Sequence, residues 1–193
     1  MTDRYQNKYR IASARVPWHA YDGGVYFVTI CTAGKQHYLG EIVDAPEPYM
    51  QLSAMGEQAD VCWRAIPEHF PHVELGDFVV MPNHVHGIVI IHGDDALGAH
   101  PSGGTHPLEE TQNFASLPAC ANRFAPQSRN LASVIRGFKV GVTRYVREHR
   151  LPFGWQPRFY DHIVRNQNEL NWIAQYIADN PVAWATDELN IGI

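Results

Sequence analysis

At 193 residues, with 45% hydrophobic and 18% charged side chains, the chain has the length and composition of one globular domain with room for an insertion or an extension. No apolar run is long enough to cross a bilayer, and a net charge of −5 at first counts against a polyanionic partner. The charge is divided along the chain: residues 36–122 hold one basic side chain, Arg64, against twelve acidic ones, and residues 123–165 hold nine basic against two acidic, so a basic face can survive inside an acidic total.

Residues 1–21 mix basic and aromatic side chains without periodicity and read as an arm. Its lack of an apolar stretch argues against a secretory signal. Cys31, Cys62 and Cys120 have neither the number nor the spacing of a disulfide framework or a cysteine zinc cluster. A cytoplasmic protein is expected.

After Gly23-Gly24, the run Val25 to Cys31 is rich in β-branched and aromatic residues and predicts a strand. Gln36 to Val43 predicts a short returning strand, and the acidic Asp44 to Pro48 a loop. Ser53 is placed to cap a helix whose apolar positions Met55, Ala59, Cys62 or Trp63 and Ile66 recur up to Pro67. Val73 to Met81 and His84 to Ile91 predict two strands joined by Pro82-Asn83, which makes them an antiparallel pair. Residues from about 92 to 128 lack periodicity and are expected to form a mobile insertion. From Asn130, Leu131, Val134, Ile135, Phe138, Val142 and Val146 make the apolar stripe of a helix, with Arg136, Lys139, Arg144, Arg147 and Arg150 largely off it. Phe159 to Val164 predicts a strand, and Gln167 to Asn180 a final helix ended by Pro181.

The order strand, helix, strand, strand, helix, strand is the split βαβ pattern. It predicts an α+β fold, a ferredoxin-like antiparallel sheet with helices on one face, plus a C-terminal helix. One domain is expected over 22–193, interrupted by the insertion.

Alternate strand residues share a face, so His84 and His86 project together while Val85 points away, and two imidazoles so placed could hold one divalent ion. Polar residues at the mouth of a strand are the competing reading. In the last helix Tyr176 and Asn180 are four apart and share a face, although a tyrosine there is as readily an amphipathic core residue.

Four ordered stretches resemble the single-tyrosine HUH transposases, in particular REP-associated tyrosine transposases and their insertion-sequence-200-like relatives. They are Val25-Tyr-Phe-Val-Thr-Ile-Cys31, Met81-Pro-Asn-His84-Val-His86-Gly, Trp155-Gln-Pro-Arg-Phe-Tyr-Asp-His-Ile-Val-Arg-Asn166 and Tyr176-Ile-Ala-Asp-Asn180-Pro181. The resemblance implies that Tyr176 is the nucleophile, that His84 and His86 bind a metal, and that Asn180 stands where relatives carry a third ligand. The ion implied is Mg²⁺ or Mn²⁺, for which a carboxamide oxygen is a reasonable donor. The substrate implied is single-stranded, hairpin-forming DNA, cleaved through a 5′-phosphotyrosine and rejoined, by a homodimer or a monomer. A domesticated hairpin-binding protein that does not cut is the alternative, and a small metal-dependent hydrolase a third.

Around this centre, His162 and Asp161 are candidates to orient it from behind the ligands, and Tyr160 is the rival nucleophile. Arg136, Lys139, Arg144 and Arg165 are candidates for phosphate contacts, and Trp155 and Phe159 for base stacking.

Overall fold

Val25, Phe27 and Thr29 alternate with Tyr26, Val28 and Ile30, so one strand can supply apolar side chains to both faces of a sheet. The computed structural model, which describes residues 23–93 and 130–190, makes this segment strand β1 (Gly24–Cys31), an inner strand. The chain continues as β2 (Gly40–Val43), β3 (Tyr49–Leu52), helix α1 (Ala54–Arg64), the one-turn α2 (Ile66–His69), β4 (Val73–Met81), β5 (His84–Ile91), α3 (Leu131–Glu148), β6 (Tyr160–Val164) and α4 (Gln167–Ala183). The N-terminal arm and nearly all of the 92–128 insertion lie outside the described residues.

The main sheet has the order β4-β5-β1-β6 with every pairing antiparallel, which is the ferredoxin-like arrangement expected. One face carries Tyr26, Val28, Ile30, Val85 and Val89, packed with Trp63 of α1 and Leu131, Val134, Ile135, Phe138 and Val142 of α3 into the principal core. The other face carries Ile88, with Phe27 and Val79 beside it, and is covered by Ile173 and Ile177 of α4. The two helices predicted first thus share one face, and the last helix takes the opposite one.

Local chemistry sets the helix starts. Ser53 Oγ accepts the Gly56 amide at 3.1 Å, Asn130 Oδ1 accepts the Ser133 amide at 3.0 Å, and Asn166 Oδ1 accepts the Glu169 amide at 3.0 Å, each satisfying an amide that the first turn leaves without a partner.

Three local expectations are corrected. Tyr49–Leu52, not assigned to any strand beforehand, pairs with Gly40–Val43 in a separate hairpin, because four-residue strands carry too little alternation to be read. Pro67 does not end helical structure but sits in the first turn of α2, where no amide is needed. Pro181 likewise lies inside α4; so close to the helix end it forfeits one bond without breaking the turn.

Candidate functional site

The Pro82-Asn83 turn delivers His84 and His86 onto the face of the sheet covered by α4, and both rings are buried, at 0% and 2% exposure. Their centroids are 4.3 Å apart. Asn83 fixes the chemistry of the first. Its Nδ2 donates to the carbonyls of Lys35 (3.2 Å) and Leu189 (2.8 Å), so Oδ1 is the atom that meets His84 Nδ1 at 2.8 Å. An amide oxygen only accepts, which places the proton on His84 Nδ1 and leaves Nε2 a bare lone pair. His86 Nδ1 lies 2.8 Å from Thr29 Oγ1 across the β1–β5 pairing, and its ring stacks on Phe27 with centroids 5.2 Å apart. Burial, together with mutual repulsion for His84, keeps the pair neutral: His84 is held well below the ordinary value and His86 is lowered to about 3.

Helix α4 brings the other half. Ile173 and Ile177 dock on Ile88, and the helical repeat then turns Tyr176 and Asn180 toward the histidines. The Tyr176 hydroxyl lies 3.4 Å from His86 Nε2, and its ring meets Phe27 edge-on. Asn180 is buried, and its Nδ2 donates to the Tyr176 carbonyl at 3.0 Å. Asn180 Oδ1 and His84 Nε2 are both buried acceptors without a hydrogen-bond partner, although Asn180 is near enough to raise the pKa of His84 and to lower that of Tyr176. Unsatisfied buried acceptors cost about 1–3 kcal/mol each, and a small cation would relieve both. Trp184, just beyond α4, closes the site over His84 with ring centroids 6.1 Å apart.

No protein-family model matches the chain. It is 34% identical over 173 residues to an uncharacterized protein of Haemophilus influenzae, covering 87% of this chain and 86% of that one. The chain belongs to that protein's family. In fold, it is similar to a REP-associated tyrosine transposase solved bound to a REP hairpin: 90% of this chain and 76% of that one align with a TM-score of 0.55 and 18% identity.

The remaining candidates of this family member fall into three places. His162 faces the same side of the sheet as the histidines, opposite Phe27, and its Nε2 meets Glu169 Oε1 at 2.7 Å, while Glu169 Oε2 accepts the Arg165 amide at 2.7 Å. This junction ties β6 to the start of α4, with the exposed Arg165 beside it. Asp161 is buried and alternates to the other face, opposite Val28, so it does not meet the histidines. Tyr160 is half-buried in β6, and its pKa is raised by burial and by Asp161.

On the far side of the sheet, Arg136, Lys139, Arg144, Arg147, Arg158 and Phe159 line a groove of about 580 Å³ between α3 and the segment entering β6. Lys139 is the least free of these cations: its Nζ donates to the Gln156 and Arg158 carbonyls, and burial lowers its pKa to about 8. Trp155 packs against Phe138 and Phe153 and donates Nε1 to the Lys139 carbonyl at 3.2 Å, so much of its ring is already occupied.

Thr29, Asn83 and Trp184 went unpredicted. Asn83 was legible as the neighbour of His84. Thr29 acquires its role only through the register that sets it opposite His86.

Proposed function

We propose that the protein is a divalent-metal-dependent transposase that nicks and rejoins single-stranded, hairpin-forming DNA through Tyr176. The observation that carries this reading is the pair of buried acceptors without hydrogen-bond partners, His84 Nε2 and Asn180 Oδ1, next to a tyrosine hydroxyl. Among the described residues no group of three His, Cys, Asp or Glu converges. His84, His86 and Asn180 would hold the ion; of the three donors the carboxamide oxygen is the one that suits Mn²⁺ or Mg²⁺, and the two imidazole nitrogens are donors that later transition metals also take. Bound there, it would favour the phenolate and neutralise charge building on the phosphoryl oxygens.

The residues account for the rest. Burial, the largest influence on Tyr176, pushes its pKa above the ordinary 10.0, against the pull of Asn180, so the phenol is a poor nucleophile without a neighbouring cation. Phe27 and His86 hold the ring from two sides, which limits the directions from which a phosphodiester can be approached. In the step itself the phenolic oxygen bonds to phosphorus and the bond to the 3′-oxygen breaks. The phenol loses its proton and the departing 3′-oxygen gains one. The products are a 5′-phosphotyrosyl ester and a free 3′-hydroxyl, and attack by a 3′-hydroxyl on that ester rejoins strands without ATP. The fold shared with a hairpin-bound transposase supports the choice of substrate.

The test is incubation with 5′- and 3′-labelled single strands drawn from genomic palindromes next to the gene, with Mn²⁺ or Mg²⁺. A covalent adduct on the 5′-phosphate side and a free 3′-hydroxyl are expected from the natural chain. Tyr176→Phe should abolish both while leaving binding nearly unchanged, since only a hydroxyl is removed. An adduct that persists in Tyr176→Phe would move the nucleophile elsewhere, with Tyr160 first in line. Binding without any adduct in the natural chain would favour the non-cutting hairpin binder.

A further inference from the structure

One turn before Tyr176 on α4, Trp172 is 68% exposed. Its ring lies nearly parallel to that of Tyr176, with an interplanar angle of 11° and centroids 5.9 Å apart. Tyr176 is therefore bounded by Phe27 on its edge and by Trp172 on its outer side. The surroundings of Trp172 on this helix surface are polar: Gln175 and Asp179 are exposed and hydrogen-bonded to each other at 2.8 Å. Two stacked aromatics, Trp172 and the partly exposed Tyr176, bordered by these polar side chains, are a small patch without the contiguous apolar area of a protein interface. What suits it is a flat, partly polar partner that needs only a π-face.

We infer that Trp172 is a base-stacking platform that positions the nucleotide next to the scissile phosphate. This rests on the reading of Tyr176 as the nucleophile. A phosphate brought to the Tyr176 hydroxyl carries its own base within one nucleotide of it, and four residues of helix, a rise of about 6 Å, separate the two side chains along α4. An unpaired base can lie on the open face of Trp172, whereas a base locked in a duplex cannot, so the platform selects for single strands at the cleavage point. Trp172 touches the substrate but takes no part in the bond exchange. It is a positioning residue, and it acts on binding and alignment, not on the nucleophile's chemistry.

The experiment measures binding of fluorescein-labelled 20-nucleotide single strands, drawn from the same palindrome flanks, in a set where one abasic site is moved along the strand. Natural chain, Trp172→Ala and Trp172→Phe are compared, each in the Tyr176→Phe background so that no cleavage intervenes. One abasic position should weaken binding to the otherwise natural chain by about 5- to 150-fold, the range expected of one base–aromatic stack. Trp172→Ala should weaken binding of the intact strand by a similar factor and be insensitive to that abasic site, and Trp172→Phe should keep most of the affinity and the same abasic profile. Matching melting temperatures of the variants exclude misfolding. Unchanged affinity with an unchanged abasic profile in Trp172→Ala would overturn the inference. So would loss of self-association in sedimentation with DNA binding intact, which would assign the face to a second copy of the chain. Adduct formation in the Tyr176→Phe background would instead sink the nucleophile assignment, and the abasic profile is read independently of it.

Discussion

At the scale of residues, the site depends on side chains that hold the histidines as much as on the histidines. Thr29 Oγ1 lies 2.8 Å from His86 Nδ1, and a hydrogen bond to the Val28 backbone also acts on the ring; partners of this kind fix ring orientation and which nitrogen is left for a ligand. Thr29→Val keeps the shape of the side chain and removes the hydroxyl. It should weaken Mn²⁺ binding by about 10- to 100-fold, measured by calorimetry, while Thr29→Ser restores most of it. The same histidines set the response to acid. His86 has a folded value of about 3 against 6.5 for the free side chain, so between those values the unfolded chain binds the proton and the folded chain does not. Its contribution is therefore fully present above about 6.5 and falls as pH drops towards about 3, by about 1.4 kcal/mol per pH unit for this one group. His84 acts in the same direction. Thermal melts without divalent ions should show a marked loss between pH 7.5 and pH 5, and Mn²⁺ at neutral pH should raise the midpoint if the proposed site holds it, because an ion held by the folded arrangement alone shifts the equilibrium towards it.

At the scale of elements, β5 is clamped from its far side. A Cβ at Gly87 would stand 2.3 Å from Cζ2 of Trp63, and Trp63 cannot retreat because it is fully buried and packed against Phe78 and Phe138. Gly87→Ala should therefore cost about 1–3 kcal/mol of stability, visible in urea unfolding, and should weaken Mn²⁺ binding as well, since the strand that must shift carries both histidines. Helix α4 is held by Ile173 and Ile177 on Ile88 and by Glu169 bridging the Arg165 amide and His162. Much of the fold was legible at this scale. Ser53 was read as a cap and accepts a first-turn amide, as Asn130 and Asn166, not read as caps, do at the other two long helices, and the β-branched and aromatic run marked β1. The β2–β3 hairpin was not legible as a pair, because its strands are stabilised mainly by each other and show little pattern of their own.

At the scale of the whole molecule, the basic groove on α3 and the Tyr176 centre lie on opposite faces of the sheet, with β6 as the edge between them. A bound strand that used both would have to pass that edge. If Arg136 and Arg158 contact phosphates there, affinity should fall with salt at a log–log slope near −0.7 for each contact. The pair Arg136→Gln, Arg158→Gln should flatten the slope by about 1.4, and Arg64→Gln on α1 should leave it unchanged. Equal slopes for natural and doubly substituted chains would move the DNA path off this groove. Lys139, bonded to two carbonyls, is expected to affect stability more than the salt slope. Arg144 is already paired with Glu148 at 2.8 Å in a solvent-exposed bridge, which water screens.

The sequence by itself determined the local facts: the strands of the main sheet and the three long helices, that His84 and His86 share a face, that Tyr176 and Asn180 lie one turn apart, and that the basic residues cluster after residue 123. These follow from the fixed periods of strand and helix and from charge, which act over a few residues. The tertiary structure decided everything that depends on register and packing between distant segments. It set Thr29 opposite His86, 57 residues away, brought α4 onto the histidine face with Tyr176 within 3.4 Å of a residue 90 positions earlier, and turned Asp161 away. It also engaged Trp155 and Lys139 in packing and left Trp172 exposed. No local pattern encodes these outcomes, because they are set by how two sheet faces bury their apolar side chains at once.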